Sequence, residues 1–196
     1  ICMRTKPLLA AVILALVAGL GFMLYRGFGP VPAAAQCTTK VGDVTVSLEP
    51  DQARNATIIA AIGVRRGLPA RAVSIALATA MQESKLHNLD YGDRDSLGLF
   101  QQRPSQGWGT QKQVQNPYYA TNAFYDVLAK IEGFESMKIT DAAQQVQRSA
   151  FPDAYQAHAT DARAMASAMT GYSPGGTFSC VSEGSTEYGS QATVAS

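Results

Sequence analysis

Eighteen consecutive residues, Leu8 to Tyr25, carry no charge and contain only glycine besides apolar side chains. A run of that length is just enough to cross the hydrocarbon core of a bilayer, and its apolar surface has no place on a small water-exposed domain. Arg4 and Lys6 precede it and Arg26 follows, so the basic bias holds the amino terminus inside and exports the rest of the chain. The expectation is one N-terminal transmembrane helix, a single pass in the cell membrane, N-in, with an extracytoplasmic domain. Ala33, Ala34 and Ala35 also offer a small-residue cleavage site, so the alternative is a signal segment that is removed and a secreted product.

The remaining chain divides by composition. Residues 1–26 are the anchor or signal segment, and 27–50, with Gly27, Gly29, Pro30 and Pro32, read as an extracytoplasmic linker. Within that linker Val41 to Leu48 has the composition of a short strand or an extended arm. Residues 51–180 form the folded domain, and 181–196, rich in Ser, Gly and Thr, read as a flexible tail. Periodicity in the domain is helical. Ile58, Ile59 and Ile62 form one stripe, Val73, Leu77, Ala80 and Met81 a second, and Tyr155, Ala159, Ala162, Met165 and Met169 a third. Asn116 and Pro117 match an N-cap and first helical position for a helix running to Gly133, and Thr140 or Asp141 caps a shorter helix containing Val146. The fold class is mainly α.

Composition excludes several functions. Sixteen basic residues balance fifteen acidic ones, and no basic cluster suits nucleic acid. Three cysteines and two histidines stand at no zinc-ligand spacing, so no metal or other cofactor is expected. Cys37 and Cys180 bracket the domain, whereas Cys2 falls on the reducing side of the membrane; an oxidising exterior favours a Cys37–Cys180 disulfide over two free thiols.

Chemistry concentrates between Ala78 and Gly109. Glu83 ends an otherwise uncharged helix, 72–82, in line with the small residues Ala72, Ala76 and Thr79, where neighbouring helices pack close and desolvate its carboxyl. Desolvation disfavours the anion, which raises the pKa toward the range where a carboxylic acid donates a proton at neutral pH. Position alone equally fits a solvated glutamate at a helix end.

Glu83-Ser84, followed by Gly98-Leu99-Phe100-Gln101, resembles the E-S and G-L-M-Q motifs of the lytic transglycosylase domain of the lysozyme-like superfamily, and Ala154-Tyr155-Gln156-Ala157 is similar to its A-Y-N-A motif. Phe100 replaces Met and Gln156 replaces Asn. The resemblance covers residues 55–172 and extends to membrane-anchored, poorly characterised versions in which Gly-Leu-Phe-Gln-Gln-Arg-Pro and Gly-Trp-Gly follow the glutamate. It implies a lysozyme-like fold acting on peptidoglycan glycan strands. Glu83 would protonate the oxygen between N-acetylmuramic acid and N-acetylglucosamine, then take the proton of the muramoyl C6 hydroxyl as a 1,6-anhydro ring closes. Gln101 and its neighbour Gln102 would bind the sugar, and Ser84 and Tyr155 would orient Glu83 or the substrate.

Two further readings stay open. A hydrolytic muramidase needs a second carboxylate, and Asp90, Asp93 and Asp95 follow Glu83 in a glycine-containing loop; turn residues on the surface are their ordinary role. A non-catalytic peptidoglycan-binding or scaffold module, serving an envelope machine through an unidentified partner, would keep the fold without the reaction. Trp108, the sole tryptophan, either stacks on a sugar or plugs the core beneath its loop. Gly171-Tyr172-Ser173-Pro174-Gly175 fits a nucleophile-elbow pattern, but Pro174 lacks the N–H that such an elbow uses, and no histidine follows.

Overall fold

The computed structural model describes Phe22, residues 35–149 and residues 153–181. Apart from Phe22, the apolar run from Leu8 to Tyr25 lies outside the described residues, as does the segment beyond Val181. Among the described residues no helix is long and apolar enough to cross a membrane.

Six α-helices and one three-stranded sheet build the domain. Strands β1 (Gln36–Val41) and β2 (Val44–Leu48) form a hairpin, and β3 (Thr177–Val181) pairs antiparallel with the other edge of β1. Alternation orients the sheet: Cys37, Thr39, Val46 and Leu48 are buried, whereas Gln36, Lys40, Thr45 and Ser47 are exposed. The register sets Cys37 opposite Cys180, and the two are joined by a disulfide. The expected start of the domain therefore moves. Residues 36–48, placed in the linker 27–50, belong to the folded unit because Cys37, Val46 and Leu48 bury their side chains in its core. Residues 177–181 close the sheet, so the fold is mixed, six helices with a small sheet, where mainly α was expected.

Helix α1 (Pro50–Arg65) starts at a capping box: Glu49 N–H donates to Gln52 Oε1 at 2.8 Å, and Pro50 occupies the first turn, where its missing N–H costs nothing. Ala53, Ala56, Ile59, Ala60 and Ile62 form its buried stripe. Helix α2 (Ala70–Ser84) is the axis of the domain, with every residue from Ala72 to Ala80 buried. A helix buried on all sides needs small residues and internal partners for its polar ones. Ser74 and Thr79 meet the second need by donating to carbonyls four residues back, at 3.1 and 2.8 Å.

Around α2 pack α1, the 3-10 helix Ala154–His158, α4 (Pro117–Leu128), α5 (Ile139–Gln147) and α6 (Ala159–Met169); the sheet lies against α6. A short helix, α3 (Gln111–Val114), leads into α4 and is capped by Thr110. The predicted cap of α4 is present: Asn116 Oδ1 accepts the N–H groups of Tyr118 and Tyr119 at 2.9 and 3.3 Å. Helix α4 ends at Leu128 rather than Gly133, and turns carry the chain to Gly133. Lys138, not Thr140 or Asp141, is the N-cap of α5, since Thr140 already lies inside the first turn with its side chain buried. The stripe from Tyr155 to Met169 is split between the 3-10 helix and α6.

Candidate active site around Glu83

Glu83 occupies the last turn of α2. That helix stops abruptly because Lys85 and Leu86 both take positive φ, 54° and 64°, and Leu86 N–H returns to Ala80 O while Lys85 N–H bonds Met81 O. The reversal buries Leu86 and holds the Glu83 carboxyl at the edge of the core instead of letting the helix carry it into solvent.

Two side chains from other elements reach that carboxyl. Tyr155, wholly buried in the 3-10 helix, donates its hydroxyl to Glu83 Oε1 at 2.7 Å. Gln147, the last residue of α5, adds a second hydrogen bond and also donates Nε2 to Phe100 O at 2.7 Å. Burial raises the Glu83 pKa above its ordinary 4.5, and the bonds from Tyr155 and Gln147 partly offset it by favouring the anion. Burial, with the neighbouring Glu83 charge, pushes the Tyr155 phenol far above its usual range, so the phenol keeps its proton and remains a donor. Ser149 hydrogen-bonds Tyr155 in turn. Gln147 and Ser149 carry no sequence signal; both act through the fold.

The segment after Glu83 is tied to it by Ser84. The Ser84 hydroxyl lies 2.7 Å from Leu99 O and 3.1 Å from Ala80 O, sharing its one proton between the loop and the helix. Leu97 and Gln102 pair as an isolated bridge, N–H to O at 3.1 Å in both directions, which folds residues 98–101 into a compact turn. Gly98 is required there: its φ is +76°, and a Cβ would stand 2.2 Å from Val114 O. Phe100, where the family motif has Met, is buried and stacks on Phe124 with ring centroids 4.7 Å apart.

The predicted sugar-binding residues are used differently. Gln101 Nε2 donates to Tyr91 O and Gly98 O, both at 3.2 Å, so its amide donors close the loop instead of reaching outward. Gln102 is 1% exposed and donates Nε2 to Ala120 O, so its side chain points inward. Gln102 is thus a core residue, not part of a binding wall. Ser84 is likewise buried and anchors the loop. Trp108 is half-buried and packs against the core.

The three aspartates also separate. Asp95 accepts Arg103 Nε at 2.8 Å, Ser105 N–H at 2.7 Å and Ser105 Oγ at 2.9 Å, and the Ser105 amide and then Arg103 hold its carboxyl well below the usual range. Its oxygens are committed to pinning the loop. Asp90 and Asp93 are exposed, the latter 3.9 Å from Arg94 Nε. The two histidines are engaged elsewhere: His87 Nδ1 lies 2.7 Å from Asp51 Oδ2, and His158 Nε2 lies 3.1 Å from Gln82 Oε1. Ser173 meets the hydroxyl of Ser167. Glu49, Asp51 and His87 bring three ligand-type atoms within 4.8 Å of one another, but both carboxylates are exposed and His87 Nδ1 is already engaged by Asp51 Oδ2.

The site is therefore a half-buried carboxylic acid with a raised pKa, held by a protonated phenol and a primary amide, beside a turn fixed by Ser84. Such a group gives and retrieves a proton without a metal-ligand cluster around it. No family model matches the chain, and no curated protein matches it.

Proposed function

We propose that this protein is a peptidoglycan lytic transglycosylase of lysozyme-like fold, held at the cell membrane by the apolar run Leu8 to Tyr25 with its domain outside. The single observation that carries the proposal is the Tyr155–Glu83 hydrogen bond. It joins the first and third motifs of the family resemblance at one carboxyl whose pKa is raised by burial. Ser84, in the same motif as Glu83, binds the carbonyl of Leu99 in the second motif, so all three meet at this point.

The reaction follows from one acid. Tyr155 occupies Oε1, so the transferable proton belongs on the other oxygen of Glu83. That proton passes to the glycosidic oxygen as the bond from muramoyl C1 breaks, and positive charge develops at C1. The C6 hydroxyl of the same sugar then bonds to C1 and returns its proton to Glu83, closing the 1,6-anhydro ring. No water is consumed and the acid is regenerated. Tyr155 and Gln147 stabilise the carboxylate in the interval when it is ionised, which lowers the cost of proton transfer out of a desolvated site.

The committed state of Asp95 and the exposure of Asp90 and Asp93 favour this reading over a muramidase, which requires a second carboxylate at about 5–5.5 Å for retention or about 6.5–9.5 Å for inversion. The test is the chemistry of the product ends. Purified peptidoglycan incubated with the full chain yields anhydromuramoyl ends under the proposal. Reducing muramic ends indicate hydrolysis, and bound but uncut strands indicate a scaffold.

A further inference from the structure

A cavity of about 410 Å³ is lined by Lys138, Thr140, Asp153, Gln156 and Arg163. Its charge is unbalanced. Lys138 and Arg163 are exposed and pair with no acid among the described residues, and Asp153 is the single acid in the lining. A third cation stands behind it. Arg71 donates to the carbonyl of Met137, next to Lys138, with its Nε buried and unpartnered, and the nearby Arg163 charge adds to the burial that lowers its pKa. Lys138 is also the N-cap of α5, so the positive end of that helix faces the same region. Three positive charges and a helix terminus converging on one cavity favour an anion.

The cavity shares its framework with the catalytic carboxyl. Thr140 and Gln147 stand seven residues apart on α5, close to two full turns, and so lie on one face about 10 Å apart along the axis. Gln147 meets Glu83, and Thr140 lines the cavity. In the 3-10 helix, Tyr155 holds Glu83 while its neighbour Gln156 lines the cavity.

We propose that this cavity is a subsite for the carboxylates of the peptide stem carried by the same glycan strand. The inference rests on the transglycosylase reading. An extended peptide covers up to about 3.3–3.6 Å per residue, so about four residues of stem span the roughly 13 Å of α5 between Gln147, which meets Glu83, and Lys138. Lys138 and Arg163 receive the carboxylates, Gln156 supplies a hydrogen-bonding group, and Asp153 takes an amine of the stem. The cavity thus selects strands whose stems are present and rich in acidic groups.

The test compares the full chain with a Lys138→Gln, Arg163→Gln double variant on two substrates, glycan strands bearing peptide stems and the same strands stripped of peptide by an amidase. The proposal expects the half-saturating concentration of stem-bearing strands to rise about five-fold in the variant, with turnover number unchanged and stripped strands unaffected. Equal effects on both substrates, or none on either, overturn it. Should the wild-type chain cut neither substrate, the transglycosylase reading fails separately, and the cavity is judged by titration calorimetry with a soluble stem peptide. Binding at low salt that the double variant loses then supports the subsite. No binding by the wild type, or equal binding by both, rejects it.

Discussion

The hydroxyl of Tyr155 sits 2.7 Å from Oε1 of Glu83 although 72 residues separate them in the chain. The phenol is fully buried and the carboxyl is partly so, which fixes the rotamer of the acid and sets how readily it ionises. Removing that one bond leaves the fold's apolar contacts nearly intact, because phenylalanine keeps the ring.

Tyr155→Phe therefore separates chemistry from folding. The bond favours the anion, so its loss raises the Glu83 pKa further, and the alkaline limb of the pH–rate profile moves to higher pH because the acid form persists longer. Turnover falls about 10-fold or more, the scale of one hydrogen bond to a charged group. A profile measured from pH 4 to 9 for both proteins checks the shift.

Glu83 should cost the fold stability at neutral pH. Its pKa is raised in the folded chain, so the folded state binds the proton more tightly than the unfolded one. Stability is greatest where the carboxyl is protonated and declines as pH rises from the ordinary 4.5 to the raised folded value. Glu83→Gln removes the burden and raises Tm at pH 7 by roughly 2–4 °C, a gap that closes below pH 4. Calorimetric melts across that range read it directly.

The aspartate loop gives the opposite sign. Asp95 has its pKa lowered by Ser105 and Arg103, so its contribution is present above the ordinary 3.8 and disappears as pH falls below that value. Asp95→Asn loosens the loop, and limited trypsin digestion cuts after Arg94 several-fold faster. Asp90→Asn and Asp93→Asn keep turnover within about two-fold, the usual outcome for exposed residues away from bonded networks. Abolition of activity by either one indicates a hydrolytic mechanism.

The Cys37–Cys180 bridge joins positions 143 residues apart. Its removal by Cys180→Ser destabilises the chain by about 2–4 kcal/mol, below the roughly 5 kcal/mol that loop entropy alone allows. Denaturant melts give the value, and faster migration of the oxidised over the reduced chain on gels reports the bond itself.

Local chemistry made some of this fold readable in the sequence. The start of α4 is legible because Asn116 bonds amides only two and three residues away, whereas the partial burial of Glu83 is one of two readings its helix position allows. The sheet is legible only in its second strand, where Val41 to Leu48 has strand composition. Its central strand, β1, finds β3 at the far end of the domain; the expected Cys37–Cys180 bridge brings those two positions together, but no periodicity in 36–41 or 177–181 marks either as a strand. The same limit hides Gln147, an ordinary helix-end residue until α5 packs beside α2 and delivers its amide to Glu83. Gln102 is misread for a related reason: next to Gln101 in a polar pair, it looks exposed, and only its bridge to Leu97 turns it inward toward Ala120. Thr140 resembles a cap by residue type, but the first turn of α5 begins earlier and buries it.

The most direct test of the central claim is mass spectrometry of muropeptides released from purified peptidoglycan by the full-length chain, beside its Glu83→Gln variant at equal protein concentration. The account predicts anhydromuramoyl ends from the wild type, lighter than reducing ends by one water, and none from the variant while its binding to the wall is retained. Reducing ends from the wild type, or equal release by both proteins, would contradict it.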